Sequence, residues 1–318
     1  MLQPSSAPSS SSSTAAVFMV GELSGCVADR IRAFGASSRL HTYALLDPKF
    51  SADAGLVDTM RRSGIYIGFQ PDPPTSMLNF AGSSGTTKPA FIKWLIAQTQ
   101  YEHAWHLEDD VFFSGSWDNL LLDPRLRPDA HLVASQKSGW TSDWANMMTE
   151  TFGECLVGAG RPCFDHAANA TQTSWPLLRM SRFYAQRLAA AFADGANGHH
   201  EILTGSFCLA NSDWCDLQQL PSERLGVYVL GRWANETHNF NCAVQTARAD
   251  RLALTDLASA SSVPCSDPLA LPPEDAPPEW RCKLFHPTKC RIQNESGSLQ
   301  LAWAAVASEG CPSTPRIY

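Results

Sequence analysis

Three consecutive carboxylates, Glu108-Asp109-Asp110, close the apolar stretch His103-Ala104-Trp105-His106-Leu107. Adjacent carboxylates repel, and a fold tolerates them most easily when a cation or a set of donors lies between them. The plainer alternative is an acidic turn in water. A second group is Gly198-His199-His200-Glu201, where a carboxylate stands beside imidazoles that can tune its basicity. Here the alternative is a glutamate that caps or pairs on a surface loop. A zinc site built from His-His-Glu is disfavoured, because adjacent side chains are expected to diverge. A third group lies late in the chain, in Trp280-Arg281-Cys282-Lys283-Leu284-Phe285-His286-Pro287-Thr288-Lys289, expected to be a loop. The chain also has ten tryptophans. Indoles stack on sugar rings or fill cores, and of Trp140, Trp144, Trp175 and Trp233 one or two are expected at a site and the others buried. Gly82-Ser83-Ser84-Gly85-Thr86-Thr87-Lys88 lacks the spacing of a nucleotide-triphosphate loop, since two residues separate its glycines and proline follows its lysine.

These groups need a scaffold, and the periodicity supplies one. Strands are expected at Ala16 to Gly21, His41 to Asp47, Gly64 to Phe69, His103 to Leu107 and His131 to Ser135. Helical patterns lie between them at Ala28 to Phe34, Leu56 to Arg62 and Thr87 to Ala97; in the last, Thr86 or Thr87 caps and Pro89 suits the first turn. A further amphipathic helix is expected from Leu177 to Ala193, with Leu177, Met180, Tyr184, Leu188 and Ala191 along one side and a Gly195–Gly198 turn after it. Strands alternating with helices predict βαβ units and a mainly parallel α/β sheet. In such sheets ligands bind beyond the carboxyl ends of the strands, where the acidic triplet is expected.

The composition is that of a folded protein: 318 residues, 44% hydrophobic and 17% charged. A net charge of -7 argues against a protein that grips a nucleic-acid polymer. A small anion held through a metal stays open, because a bound cation reverses the local field. No run reaches 18 uninterrupted apolar residues, so no membrane span is expected. The ten cysteines contain no C-x-x-C pair. They read better as partly disulfide-bonded, above all Cys265, Cys282, Cys290 and Cys311, than as free cytosolic thiols. Sequons at Asn169, Asn235 and Asn294 point the same way. No basic segment followed by an apolar one opens the chain, so either the sequence is incomplete there or the protein is cytosolic; cysteines and sequons favour the secretory lumen, Golgi or endoplasmic reticulum. Residues 1–16, with seven serines, form an expected disordered tail or stem. A single domain is expected over 17–292, with a proline-rich loop at 264–278 and a C-terminal extension at 293–318.

Tyr101-Glu102-His103-Ala104-Trp105-His106-Leu107-Glu108-Asp109-Asp110-Val111-Phe112, following a helix that carries Lys88, resembles the D-x-D core of the GT-A glycosyltransferases, with Glu in the first acidic position. The resemblance implies a Rossmann-like GT-A sandwich. It implies a Mn2+- or Mg2+-dependent enzyme that moves a hexosyl or pentosyl group from a nucleotide-diphosphate sugar to a hydroxyl of a glycan or glycoprotein. Asp110 would then bind the metal, Glu108 would contact the ribose or the metal sphere, Asp109 would assist, and Lys88 would lie near the nucleotide. His286 and Lys289 resemble the family's late H-x-x-K element, in which the histidine completes the metal sphere and the lysine offsets the leaving diphosphate. Glu201 would deprotonate the acceptor hydroxyl if the reaction inverts; inversion and retention both stay open. Trp140, Asp143, Trp144 and His200 would border the acceptor. Two other readings remain beside it: a metal-dependent α/β hydrolase, and a non-catalytic, disulfide-stapled carbohydrate-binding protein.

Overall fold

Short apolar runs become strands and the patterned segments between them become helices in the computed structural model of the chain. It describes residues 13–77, 87–113, 117–137, 171–196, 198–221, 225–228 and 284–286. The first half winds as β1 (Thr14–Val20), α1 (Gly25–Ser37), β2 (His41–Leu46), α2 (Ala54–Arg62), β3 (Tyr66–Phe69), α3 (Thr87–Ala97) and β4 (His103–Glu108). Then come β5 (Phe112–Phe113), α4 (Trp117–Leu121), β6 (Leu132–Lys137), β7 (Gln172–Ser181), α5 (Arg182–Ala193), α6 (His200–Ala210), β8 (Leu217–Gln219), β9 (Leu225–Tyr228) and β10 (Leu284–His286). Local chemistry starts the helices: Ser24, Asp53 and Ser181 each accept the backbone N–H three residues on, opening α1, α2 and α5.

Seven strands form one sheet in the order β3-β2-β1-β4-β7-β6-β8, and a smaller sheet runs β5-β10-β9. In the large sheet β7 alone is antiparallel to its neighbours, β4 and β6; the other pairings are parallel. The α/β architecture with a mainly parallel sheet is therefore the one the periodicity predicted. Alternation along the strands sends side chains to two buried layers. Phe18, Trp105 and Leu107 pack with α1, α2 and α4 on one face, while Val17, Ala104 and Leu178 pack with α3, α5 and α6 on the other.

Several expectations need correcting. β1 begins at Thr14, because Thr14, Ala15 and Ala16 already pair with His103, Ala104 and Trp105. The helix expected over Leu177–Ala193 is a strand up to Ser181 and a helix only from Arg182. Trp175, Leu177, Leu178 and Met180 are all buried, which is the two-sided burial of a central strand and not one stripe of a helix. Pro176, which cannot donate to a ladder, lies where the β6–β7 register shifts between Ala134 and Gln136. Leu284–His286 is a strand rather than a loop. A disulfide joins Cys208 to Cys215 across the end of α6, a pair the sequence did not single out. Cys265, Cys282, Cys290 and Cys311, the three sequon asparagines, the serine-rich tail as far as residue 12 and the 264–278 loop lie outside the described residues.

Candidate functional site

Strand order decides where a ligand can enter. From β1 the chain first builds outward through β2 to β3, then returns to place β4 on the other side of β1. Crossovers on either side of this reversal diverge and leave a crevice at the carboxyl ends of β1 and β4. The acidic triplet stands there. The Gly21 N–H, just past β1, donates to Asp109 Oδ2 at 3.3 Å, and buried Arg30 of α1 donates to the Asp109 carbonyl. Asp109 thereby ties the ends of β1 and β4 to α1. Asp110, one residue on, is a buried carboxylate, 4% exposed, in the turn after β4.

Glu108 points to the other face, with Ala104 and His106. Its Oε1 accepts from Lys88 Nζ at 2.6 Å, and both side chains are largely out of water. Lys88 occupies the first turn of α3, so the helix start recognised in the sequence delivers this ammonium to the strand end. The plainer reading of the triplet, an acidic turn in water, does not hold for these residues.

α6 brings the second group to the same face. His199 is its N-cap and its Nδ1 accepts the Glu201 N–H at 3.4 Å; His200 and Glu201 fill the first turn and are 4% and 6% exposed. Glu201 is thus a buried helical residue and not a surface-loop cap. The His199 and His200 rings lie 4.3 Å apart and do not diverge, because one residue is the extended cap and the next is helical. Burial holds His200 well below the usual imidazole range, and the charge of Lys88 adds to this. Burial, then Lys88, lowers His199 to about 4. His106, wholly buried between Phe91 and Trp175, is lowered to about 3, chiefly by desolvation. Burial thus favours the neutral form of three imidazoles that feel the charge of Lys88, two of which, His106 and His200, also feel that of Glu108.

Of the residues singled out in the sequence, the structure brings Lys88, Glu108 and His200 into one electrostatic neighbourhood, with Glu201 beside His200 and Asp109 and Asp110 at the same strand end. His286 is placed through its backbone alone, as the last residue of β10, whose Leu284 and Phe285 pair with Phe113 and Phe112 of β5, the strand that follows the acidic triplet. Trp140, Asp143, Trp144, Trp233 and Lys289 lie outside the described residues. Trp175 is wholly buried and is no sugar-stacking platform. Sequence reasoning missed His106, Arg30 and Gly21, and gave His199 no role of its own. For His106 a signal existed, since it lies two residues before Glu108 and strand alternation puts both on one face.

Among the described residues no group of three or more His, Cys, Asp or Glu side chains is arranged to hold a metal ion. The side chains at the strand end, carboxylates at Asp110 and Glu108, are of the chemical kind that a hard divalent cation takes. No helix among those residues is long and apolar enough to cross a membrane.

No protein-family model matches the sequence, and no curated protein matches it. Solved structures similar to the chain include a galactosyltransferase, LgtC, in complex with donor and acceptor sugar analogs, 14% identical over 71% of this chain and 77% of that one, TM-score 0.43. The apo-form glycosyltransferase GlyE of Streptococcus pneumoniae is 12% identical over 93% of this chain and 61% of its own, TM-score 0.40. Mouse xyloside xylosyltransferase 1 in its apo form is 11% identical over 69% of this chain and 89% of its own, TM-score 0.37.

Proposed function

We propose that the chain is a divalent-metal-assisted glycosyltransferase that moves a sugar from a nucleotide-diphosphate donor to a hydroxyl on a glycan or glycoprotein. The observation that supports it most is the convergence at the sheet's switch point: a carboxylate triplet, with Asp110 buried and Glu108 and Asp109 partly so, closes β4 beside β1, and the first turns of α3 and α6 bring Lys88 and Glu201 to the same end. A crevice with a buried ammonium and carboxylates for a cation suits a pyrophosphate. Asp110 and Glu108, with His286, would hold Mn2+ or Mg2+, which when bound supplies positive charge to the diphosphate.

The chain's own residues do the rest. Lys88 fixes Glu108 and adds positive charge to the crevice, and Lys289, three residues beyond β10, would offset charge on the departing phosphate. In an inverting reaction the acceptor oxygen bonds to the anomeric carbon as the bond from that carbon to the diphosphate oxygen breaks. The acceptor's proton goes to the Glu201 carboxylate, and the nucleoside diphosphate leaves. In a retaining reaction Glu201 has another duty. Trp140, Asp143 and Trp144 would border the acceptor together with His200. The Cys208–Cys215 disulfide supports folding in an oxidising compartment, the secretory lumen.

Thermal unfolding with uridine and guanosine diphosphates, each with and without Mn2+, tests the reading. One nucleotide should raise Tm only when the metal is present, and Asp110→Asn should abolish the rise. At a hundredfold excess over Kd the stabilisation is about 2.7 kcal/mol. Metal-independent stabilisation, or none, overturns the metal-assisted donor site. Incubation with nucleotide sugars then separates transfer to a saccharide or protein from the hydrolase alternative, which would release free sugar whether or not an acceptor is present.

A further inference from the structure

Trp175 lies at the middle of the two groups of residues that the proposed reaction needs to keep in register. It is wholly buried in β7, the antiparallel strand next to β4. Its main chain and side chain are tied to different elements. The Trp175 carbonyl accepts the Nδ1–H of His106 on β4 at 2.8 Å, two residues before Glu108. Its indole Nε1–H is shared between the His200 carbonyl at 3.1 Å and Thr204 Oγ1 at 3.0 Å, both on α6. Ring-edge contacts to His106, His200 and, across to α3, Phe91 complete the seat.

The tie is preset by the covalent chain. Pro176 confines the preceding residue to extended backbone, which fixes where the Trp175 carbonyl and indole point. Because a carbonyl only accepts, the proton of neutral His106 sits on Nδ1, so the imidazole is locked in one tautomer. α6 is drawn close at the same level, since Gly205 faces Thr171 and Thr173 of the β7 segment with no room for a side chain. The His200 carbonyl that the indole holds belongs to the peptide linking His200 to Glu201.

We propose that Trp175 is a positioning residue: through the His200 carbonyl it sets the Glu201 carboxylate relative to the Glu108 end of β4. The inference rests on Glu201 acting as the acceptor's base. Displacing a reacting group by about 1 Å costs on the order of a hundredfold in rate. Trp175→Phe keeps an aromatic ring and deletes the donor. The full chain carrying it should retain metal-dependent stabilisation by the nucleotide and a donor KM within about twofold of wild type. Its kcat should fall about 10- to 100-fold, and the acidic limb of its kcat–pH profile should move, because the surroundings of Glu201 change. Amides at the start of α6 should exchange hydrogen faster than in the unsubstituted chain, a readout that needs no turnover. Thr204→Val, nearly the same shape without the hydroxyl, serves if Trp175→Phe fails to fold, and should lower kcat several-fold with KM kept. Wild-type kcat and an unmoved pH limb in the folded variant overturn this inference alone. So does a loss confined to donor KM. A wild-type chain that binds nucleotide but never transfers sugar overturns the base reading, and this inference with it.

Discussion

Lys88 and Glu108 show why individual residues here are costly to change. Their 2.6 Å pair is 7% and 19% exposed, so removing either partner leaves the other charge in a poorly solvated place. Lys88→Met should destabilise the fold by about 3 kcal/mol, lowering Tm by roughly 6–12 °C in a thermal melt. Adding Glu108→Met should recover most of that loss, since the stranded charge is then gone as well. A double variant no more stable than the single one would mean that Glu108 is held chiefly by something other than Lys88. The triplet was legible in the sequence because three charges in a row at the end of an apolar run are conspicuous. His106 was not, although it faces the same way as Glu108. A lone histidine in an apolar strand reads as core, and the contact with the Trp175 carbonyl and the nearby charges of Glu108 and Lys88 separate this one from a packing residue.

At the scale of elements, the helix start at Thr87 was readable from the threonine pair there and Pro89 in the first turn, both local signals. The strand from Gln172 to Ser181 was not, because Leu177, Met180, Tyr184 and Leu188 also fit a helical repeat, and burial on both faces erases the alternation that marks a strand. Ser181 carries the boundary: its hydroxyl accepts the Tyr184 N–H and begins α5. The approach of α6 to β7 is likewise invisible from spacing alone, since it depends on which residues meet across elements. A Cβ at Gly205 would overlap Thr173 Oγ1 and stand 2.6 Å from Thr171 Cγ2. Gly205→Ala should therefore cost about 1–3 kcal/mol in urea unfolding, even though alanine is the better helix former. Pairing it with Thr173→Ala, which removes the overlapped oxygen, should return part of the loss. Gly205→Ala as stable as wild type would show that α6 can lift from the strand without penalty. The Cys208–Cys215 link at the far end of the same helix should contribute about 2–3 kcal/mol, read as the Tm difference between the native chain and Cys208→Ala/Cys215→Ala.

Across the whole molecule, the reversal of strand order at β1 and β4 turns a generic α/β pattern into one with a defined crevice. That order was beyond the sequence because it depends on long-range pairing. The two buried layers on either side of the sheet also take in histidines from both ends of the strands. His106 lies near the carboxyl end of β4, while His103 lies at its start, away from the crevice, 8% exposed. Desolvation is the leading cause in both cases, lowering His103 to about 4 and His106 to about 3 from an unfolded value of 6.5. The sign follows from proton counting. Below pH 6.5 the unfolded chain takes up protons on these rings while the folded chain does not, so folding loses free energy as pH falls toward 4 and regains it above 6.5. Each such group contributes up to about 1.4 kcal/mol per pH unit, so the two together approach 3 kcal/mol per unit, a large part of an ordinary domain's stability. Urea unfolding at pH 7, 6 and 5 should show that decline before most carboxylates begin to titrate. His103→Gln, remote from the crevice, should flatten the slope at pH 5 by about one proton while leaving nucleotide-dependent stabilisation unchanged. Stability constant from pH 7 to pH 5 would mean that the rings reach water and titrate in the folded protein, and the neutral surroundings ascribed to Lys88 and Glu108 would have to be given up.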